Sequence, residues 1–323
     1  MAWTARLRKE FDARFCALVA IYFLSAKLGL LMAIPGTNVT PVWPPAGVAL
    51  AALLLSGGRA ATGIAVGAWL VNLSQLSATQ GFSLAIFSSI PIAIGNTLES
   101  VLAYWGLRKI SSDDGRWFGS IRFAALYPLI CLLGAAEAAA VATSTLWPLA
   151  KQVGASRFFA TWAFGDAATM VLIPPLVLSW AGRWGYTDFV DAPHQEMQGL
   201  RKRFERIAFY LCLAAMVSVL FTPHAFSALP FVPLYFLFPI QVWGCLSLPI
   251  AEITLGLALV AVYAVSATLA GRGPFATHET AMGLLQLQTF MFVVTSGVLV
   301  LALGVIEFRK LNARLLANNE QLG

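Results

Sequence analysis

Charge is what this chain has least of: lysine, arginine, aspartate and glutamate make up 11% of its 323 residues, where an ordinary soluble domain carries roughly a quarter. No polar segment approaches the roughly 50 residues that a separate soluble domain needs. Histidine is scarce, and His194, His224 and His278 fall in three different polar connections. There is no HExxH, no paired-aspartate motif and no serine with an adjacent histidine, so no metal, no cofactor and no catalytic residue is expected within the chain. Cysteine is scarce too. Cys16, Cys131, Cys212 and Cys245 each sit alone in an apolar run without a CxxC pair, which predicts small buried side chains and neither a disulfide frame nor a metal site.

What fills the chain instead is apolar: 59% of residues, with a mean hydropathy of +0.77. A helix crossing the roughly 30 Å hydrocarbon layer at about 1.5 Å per residue needs about 20 mainly apolar residues. The pattern predicts an all-α, polytopic transmembrane helix bundle of about ten spans, at 15–34, 42–56, 60–77, 83–107, 121–146, 157–180, 206–222, 229–244, 249–270 and 281–306. The runs 42–56 and 229–244 are short and carry proline, so they are tilted, broken or partly re-entrant; if neither crosses, eight spans remain. Either even number puts both termini on one face.

The basic residues say which face, because short cytoplasmic loops carry the excess of positive charge. With ten spans and a cytoplasmic N-terminus, the inside segments hold Arg6, Arg8, Lys9, Arg14, Arg59, Arg108, Lys109, Arg116, Arg122, Arg183, Arg201, Lys202, Arg203, Arg206, Arg309, Lys310 and Arg314. The outside segments hold only Lys151, Arg157 and Arg272, an asymmetry that one miscounted span would scramble. The net charge of +6 therefore reports membrane topology and the lipid bilayer as partner, with no nucleic acid. No small-x-small cleavage site follows the basic leader at 1–14, so the first apolar run is read as an anchor helix.

Past the last run the period changes. Phe308, Leu311, Leu315, Asn318 and Leu322 are spaced 3, 4, 3, 4, as on a coiled-coil seam, with Glu307, Arg309, Lys310 and Glu320 off it. Two uses are open: a parallel homodimer with Asn318 fixing register, or an amphipathic tail lying at the lipid headgroups. The expected organisation is a cytoplasmic N-terminus at 1–14, a transmembrane domain at 15–306, and at 307–323 the start of a coiled-coil linker to an output domain.

An ionisable side chain inside hydrocarbon is costly and turns toward the bundle interior. Lys27 lies about 20 Å along its helix from Arg14. Asn96 and Glu99 share a helical face, Glu137 sits among the small residues of 134–140, and Asp166 follows Gly165 near the middle of its run. Together they suggest a polar interior site for a ligand or for signal coupling. Alternatively Lys27 is an intramembrane charge partner that pairs with a carboxylate to hold the bundle together, or a carboxylate is protonated and serves as a neutral spacer. Glu252, three residues after Pro249 at the start of a run, is expected to complement the positive end of a helix.

Three proline-rich sets complete the pattern. Pro41-Val42-Trp43-Pro44-Pro45-Ala46-Gly47 predicts a backbone break near the outer surface, with Trp43 suited to the interface. The second set is Pro230, Pro233 and Pro239 with Gln241 and Trp243, and the third, Gly271-Arg272-Gly273-Pro274-Phe275, opens the last outer loop. Such breaks build pockets in transporters and receptors; for the second set, simple kinks are the alternative. Gln286 and Gln288 open the last run and are candidates to carry a pocket signal into the C-terminal helix.

Through these residues the chain resembles the MASE1 family of bacterial integral-membrane sensory domains. The match runs through 42–55 with its Trp43-Pro44-Pro45-Ala46-Gly47 stretch, then Gly58-Arg59, Gly67, Gly95-Asn96-Thr97-Leu98-Glu99, Gly165-Asp166, 230–243, Gly271-Arg272-Gly273-Pro274-Phe275 and Leu285-Gln286-Leu287-Gln288, over about 15–308. It departs at Val242-Trp243-Gly244-Cys245-Leu246, where the family often has an arginine and a glycine after the tryptophan, and no role for that arginine carries over. The resemblance implies an input module in a bacterial inner membrane that controls a C-terminal histidine kinase of a two-component system, or a cyclic-di-GMP cyclase or phosphodiesterase, with no catalytic residues of its own. Its stimulus is an unknown small ligand or a partner membrane protein. Ten spans, broken helices and intramembrane carboxylates also suit a secondary transporter, and a stand-alone membrane receptor is a further alternative.

Overall fold

Each apolar run folds as a helix. The computed structural model describes residues 2–33, 40–111, 117–184, 200–222, 233–277 and 279–322. Its helices are α1 (Ala2–Leu31), α2 (Pro44–Ser56), α3 (Ala60–Gln80), α4 (Phe82–Ile110), α5 (Ile121–Thr145), α6 (Trp147–Val153), α7 (Ala155–Arg183), α8 (Leu200–Leu220), α9 (Leu237–Ser247), α10 (Ile250–Leu269) and α11 (Thr280–Leu322). Short 3-10 turns at Gly57–Arg59 and Pro233–Phe236 lead into α3 and α9. No strand occurs among the described residues. Arg116, His194, His224, Pro230 and His278 lie outside the described residues, as do the side chains of Arg6, Arg8, Lys9 and Leu322.

Among the described residues, seven helical segments are long and apolar enough to cross a membrane, with Pro44–Ala78 taken as one stretch of 35 residues. That stretch is two helices running in opposite directions. Gly57, at φ 70°, adopts the left-handed backbone that favours glycine and starts the turn between α2 and α3. Gly63 abuts Leu18, Gly67 abuts Tyr22, and Lys27 Nζ donates to Ser74 Oγ at 3.0 Å, so α1 and α3 point the same way. The chain must return between them, and α2 makes that return. It starts beside Gly29 near the end of α1, and near its other end the Leu54 carbonyl accepts from the Trp117 indole at 3.1 Å.

Proline and glycine act differently from the break predicted at 41–47. Pro44 and Pro45 are the first two residues of α2, where a missing N–H costs no helical hydrogen bond. Gly47 continues the helix. Its lack of a side chain lets α2 close on α7, where a β-carbon would overlap the Thr169 carbonyl oxygen and Ile173. Close approach recurs between the antiparallel α4 and α5, where Gly95 faces Val141, Gly134 faces the Glu99 carbonyl and Gly106 faces Ile130. Small residues at such crossings replace the hydrophobic drive that lipid does not supply. Pro91, Pro128, Pro174 and Pro175 are carried inside continuous helices.

The outside of the bundle is as apolar as its core. Leu24, Leu28 and Leu31 on α1, Phe87 and Trp105 on α4, Leu133 on α5 and Val262 on α10 are all exposed, a greasy belt larger than soluble monomers tolerate. This belt also explains two cysteines. Cys131 and Cys245 are buried as expected, but Cys16 and Cys212 are exposed on the lipid-facing side, where a thiol serves as one more small apolar group. Near the start of α5, Phe118 is fully buried and packs edge-on against Phe123 and Tyr127, pinning the α4–α5 connection. The last helix, α11, is 43 residues long and runs unbroken beyond the bundle.

Because Gly134 meets main chain and not a yielding side chain, Gly134→Val is expected to cost about 1–3 kcal/mol by overpacking. Gly58→Ala, which meets nothing within 4 Å, is expected to be neutral. Denaturant unfolding in detergent micelles, monitored on both variants, checks the contrast.

Candidate functional site

Four helices and one helix start bring polar side chains to a common point in the bundle. Asn96 and Glu99, one turn apart on α4, share its inward face, as their spacing predicts. Asp166 comes from α7 with Trp162 one turn before it, Tyr22 comes from α1, and Trp43 stands immediately before α2. The Thr169 hydroxyl ties α2 to α7, lying 2.8 Å from the Trp43 carbonyl and 2.9 Å from the Asp166 carbonyl. Glycine sets the spacing, since Gly67 admits Tyr22, Gly47 admits Thr169, and Gly134 admits the turn that carries Glu99.

These side chains are deeply buried: Tyr22 and Glu99 are 0% exposed, Asn96 1% and Asp166 2%. The Tyr22 hydroxyl faces Asn96, Trp43, Glu99 and Asp166. The Glu99 and Asp166 carboxyl groups face each other within side-chain hydrogen-bonding reach, and Trp162 turns toward Asp166. Yet the protein supplies no hydrogen-bond partner to the Tyr22 hydroxyl, either amide atom of Asn96, either Glu99 oxygen, Asp166 Oδ2, or the indole nitrogens of Trp43 and Trp162. Each such group costs about 1–3 kcal/mol when buried unpaired, and a charged one costs more in a membrane. So many together make this the most costly polar cluster among the described residues.

Gln288 extends the site to the last helix. It is fully buried on α11, neither of its amide atoms has a protein partner, and it lies against Gly165, where a β-carbon would stand 2.9 Å from its nitrogen. Glu137 stands at the edge on α5, partly exposed but within electrostatic reach of Glu99.

Other candidates lie elsewhere. Gln286 is exposed on the far side of α11. Gln241 is buried without a partner, but α9 packs on α8, α10 and α11, away from α4 and α7, and Trp243 packs against Phe209 at 6.2 Å. Pro44 and Pro45 start α2 without lining the site. Lys27 makes no ion pair with a carboxylate among the described residues; its ammonium binds Ser74 and lies 5.3 Å from the Phe23 ring centre. Five residues rotate a helix by about 140° past a full turn, so Lys27 cannot share the face of Tyr22.

Glu252 stands in the first turn of α10 as expected, but helix-end complementarity is a small part of its role. Its carboxylate accepts from Arg183 of α7 at 2.9 Å and from Tyr210 of α8 at 2.8 Å, with Arg206 Nε at 3.3 Å. In this second cluster the Glu252 carboxylate is fully engaged, with Arg206 Nε held by ion pairing without a hydrogen bond, and the group clamps three helices at the Arg183 end of the bundle. Tyr22 and Trp162 escaped the sequence reading. A tyrosine near the middle of an apolar run, and not at an interface, was the available signal.

Where α11 leaves the bundle it is held at two helix ends. Glu307 accepts from the Ile121 N–H at the start of α5 at 2.7 Å, and Arg309 donates to the Leu246 carbonyl near the end of α9. Both signs suit the helix dipoles they meet. Beyond this latch Phe308, Leu311, Leu315 and Asn318 are exposed.

The MASE1 family matches over residues 15–307, a range that holds every group of the site. This chain belongs to the MASE1 family. No curated protein and no solved structure shows a significant match to it. MASE1 domains are membrane-associated sensory domains and are not catalytic. Buried polar groups that the protein leaves unpaired weaken the fold. At pH 8, Asp166→Asn in this MASE1 domain is expected to raise unfolding free energy by about 1–3 kcal/mol, by removing one of two facing carboxylates. Thermal unfolding in nanodiscs without added ligand reads it.

Proposed function

We propose that this MASE1 domain is the input module of a bacterial signalling protein, in which occupancy of the Glu99–Asp166 site shifts α11 and so a dimeric cytoplasmic helix. One observation carries this reading: α11 touches the site through Gln288 and continues unbroken through the Glu307–Arg309 latch to Phe308, Leu311, Leu315 and Asn318. From Gln288 to Glu307 a rigid helix spans about 28 Å. A ligand shifts such a two-state equilibrium only through different affinities for the two states. A Gln288 contact that strengthens in one state supplies that difference. The exposed 3, 4 spacing past the latch suits a parallel homodimer, and output through a histidine kinase or a cyclic-di-GMP enzyme follows the family's role.

The topology belongs to the same proposal: ten crossings, with α2 and α9 as the short ones, and both termini in the cytoplasm of a bacterium, the domain lying in its inner membrane. Supporting it are the reversal of α2 between the parallel α1 and α3 and the basic residues gathered at one set of helix ends. Gly154→Cys is expected to react with an impermeant maleimide on intact spheroplasts, and Gly58→Cys only after permeabilisation. Labelling of Gly58→Cys from outside would place α2 on one side and return the count to eight.

Coupling is tested by disulfide formation between copies. In a background without the four native cysteines, Leu311→Cys and Leu315→Cys are expected to cross-link in native membranes faster than Ala313→Cys. Adding Asp166→Asn or Gln288→Ala is expected to change the seam rates about fivefold or more, the usual range of coupling between sites. Seam rates that ignore both substitutions would sever the site from the tail. Solute uptake by proteoliposomes, abolished by Asp166→Asn, would favour the transporter instead.

A further inference from the structure

The site has carboxylates and no counter-charge. Among the described residues no lysine, arginine or histidine faces it: Lys27 is turned to Ser74, and Arg183 and Arg206 are engaged with Glu252. Two facing carboxyl groups in a low-dielectric interior do not both ionise, so the pair carries at most one negative charge. A second proton would neutralise that charge but adds only one O–H donor, too few for the Tyr22, Asn96, Glu99 and Asp166 oxygens that lack partners. A cation answers both needs, because carboxylate, amide and hydroxyl oxygens are the ligands of hard cations. The tight crossings around the site limit its size. Gly47 against Thr169, Gly67 against Tyr22 and Gly134 against the Glu99 carbonyl bring the backbones together, which disfavours a bulky organic ligand.

Resting on the recognition site proposed above, we infer that Glu99, Asp166, Asn96 and Tyr22 bind one small inorganic monovalent cation of the sodium class. The charge count selects monovalent, since the pair offers at most one negative charge. The oxygen donors select a hard ion, while the indole of Trp162 is turned toward Asp166 and that of Trp43 toward Tyr22. Bound cation would pair the groups that the protein leaves unpaired and draw α1, α4 and α7 together next to Gly165, the contact of Gln288 on α11.

The purified chain in nanodiscs at pH 8, with ionic strength held by choline chloride, tests this directly with radioactive sodium. Expected is saturable retention of about one sodium per chain and a melting temperature that rises with sodium chloride over choline chloride, as a ligand of the native state requires. Asp166→Asn and Glu99→Gln are each expected to weaken retention at least tenfold, and Tyr22→Phe severalfold. Absence of saturable retention in a folded wild type, retention unchanged in both carboxylate variants, or equal stabilisation by choline would overturn the cation assignment. Seam cross-linking separates this from the sensory reading: a seam that responds to Asp166→Asn without sodium binding sinks only the cation, whereas sodium binding with an indifferent seam sinks only the sensor.

Discussion

The constraint on which this structure depends is that a membrane offers no water to polar groups inside it. Every backbone hydrogen bond must then be made within a helix, and every buried side-chain donor or acceptor must find a protein partner, a bound species or a cost. The fold obeys the first half closely: proline is admitted at helix starts such as Pro44 and Pro45, or inside long helices such as α7, which continues past Pro174 and Pro175. It obeys the second half selectively. The Arg183–Glu252–Tyr210 cluster is paired throughout its contacts, whereas the Tyr22–Asn96–Glu99–Asp166 cluster is left without protein partners.

That difference separates holding from recognition. Glu252 closes a three-helix junction with two guanidinium groups and a hydroxyl, and its carboxylate is 5% exposed beside an Arg183 side chain that is 40% exposed. Such a cluster gains geometry from its charges and little net energy, because the desolvation cost is nearly offset by the pairing. In the inner cluster no basic side chain among the described residues pairs with the carboxylates. A fold that keeps facing carboxyl groups, an amide and a hydroxyl unpaired inside lipid accepts a standing penalty, and penalties of that kind accumulate where a protein binds.

Much of the architecture was legible in the sequence because hydropathy and helical length are local properties. The apolar runs became helices, most near their expected bounds, although α9 begins only at Leu237 against an expected 229 and α11 continues to Leu322 against an expected 306. The basic N-terminal leader differs only in being helical from Ala2. Asn96, Glu99 and Asp166 were found by cost alone. What sequence could not show is direction around each helix axis. Lys27 turned toward Ser74 and Gln286 outward, while Gln288, two residues on, turned in against Gly165. Tyr22 and Trp162 were missed because aromatic residues fit a lipid-facing or core reading equally well. Gly47 was read as a breaker when it is a contact, a distinction that depends on Thr169, more than a hundred residues away.

Signal transmission follows from the same economy of polar contacts. α11 meets the rest of the protein with side-chain polarity at few described points: Gln288 at the site, Glu307 at the start of α5 and Arg309 near the end of α9. Its other contacts, through Leu287, Met291, Val298, Leu299, Ala302 and Leu303, are apolar and non-directional. Apolar contacts tolerate a small slide or rotation, whereas a hydrogen bond falls off steeply with angle and distance. A helix guided by apolar packing and held by the Glu307 and Arg309 hydrogen bonds has few preferred positions rather than a continuum. In the proposed reading, closing the site around a bound species changes the packing of Gln288, and the stiff helix passes the difference to those two bonds. The exposed positions beyond them are where that reading places the response.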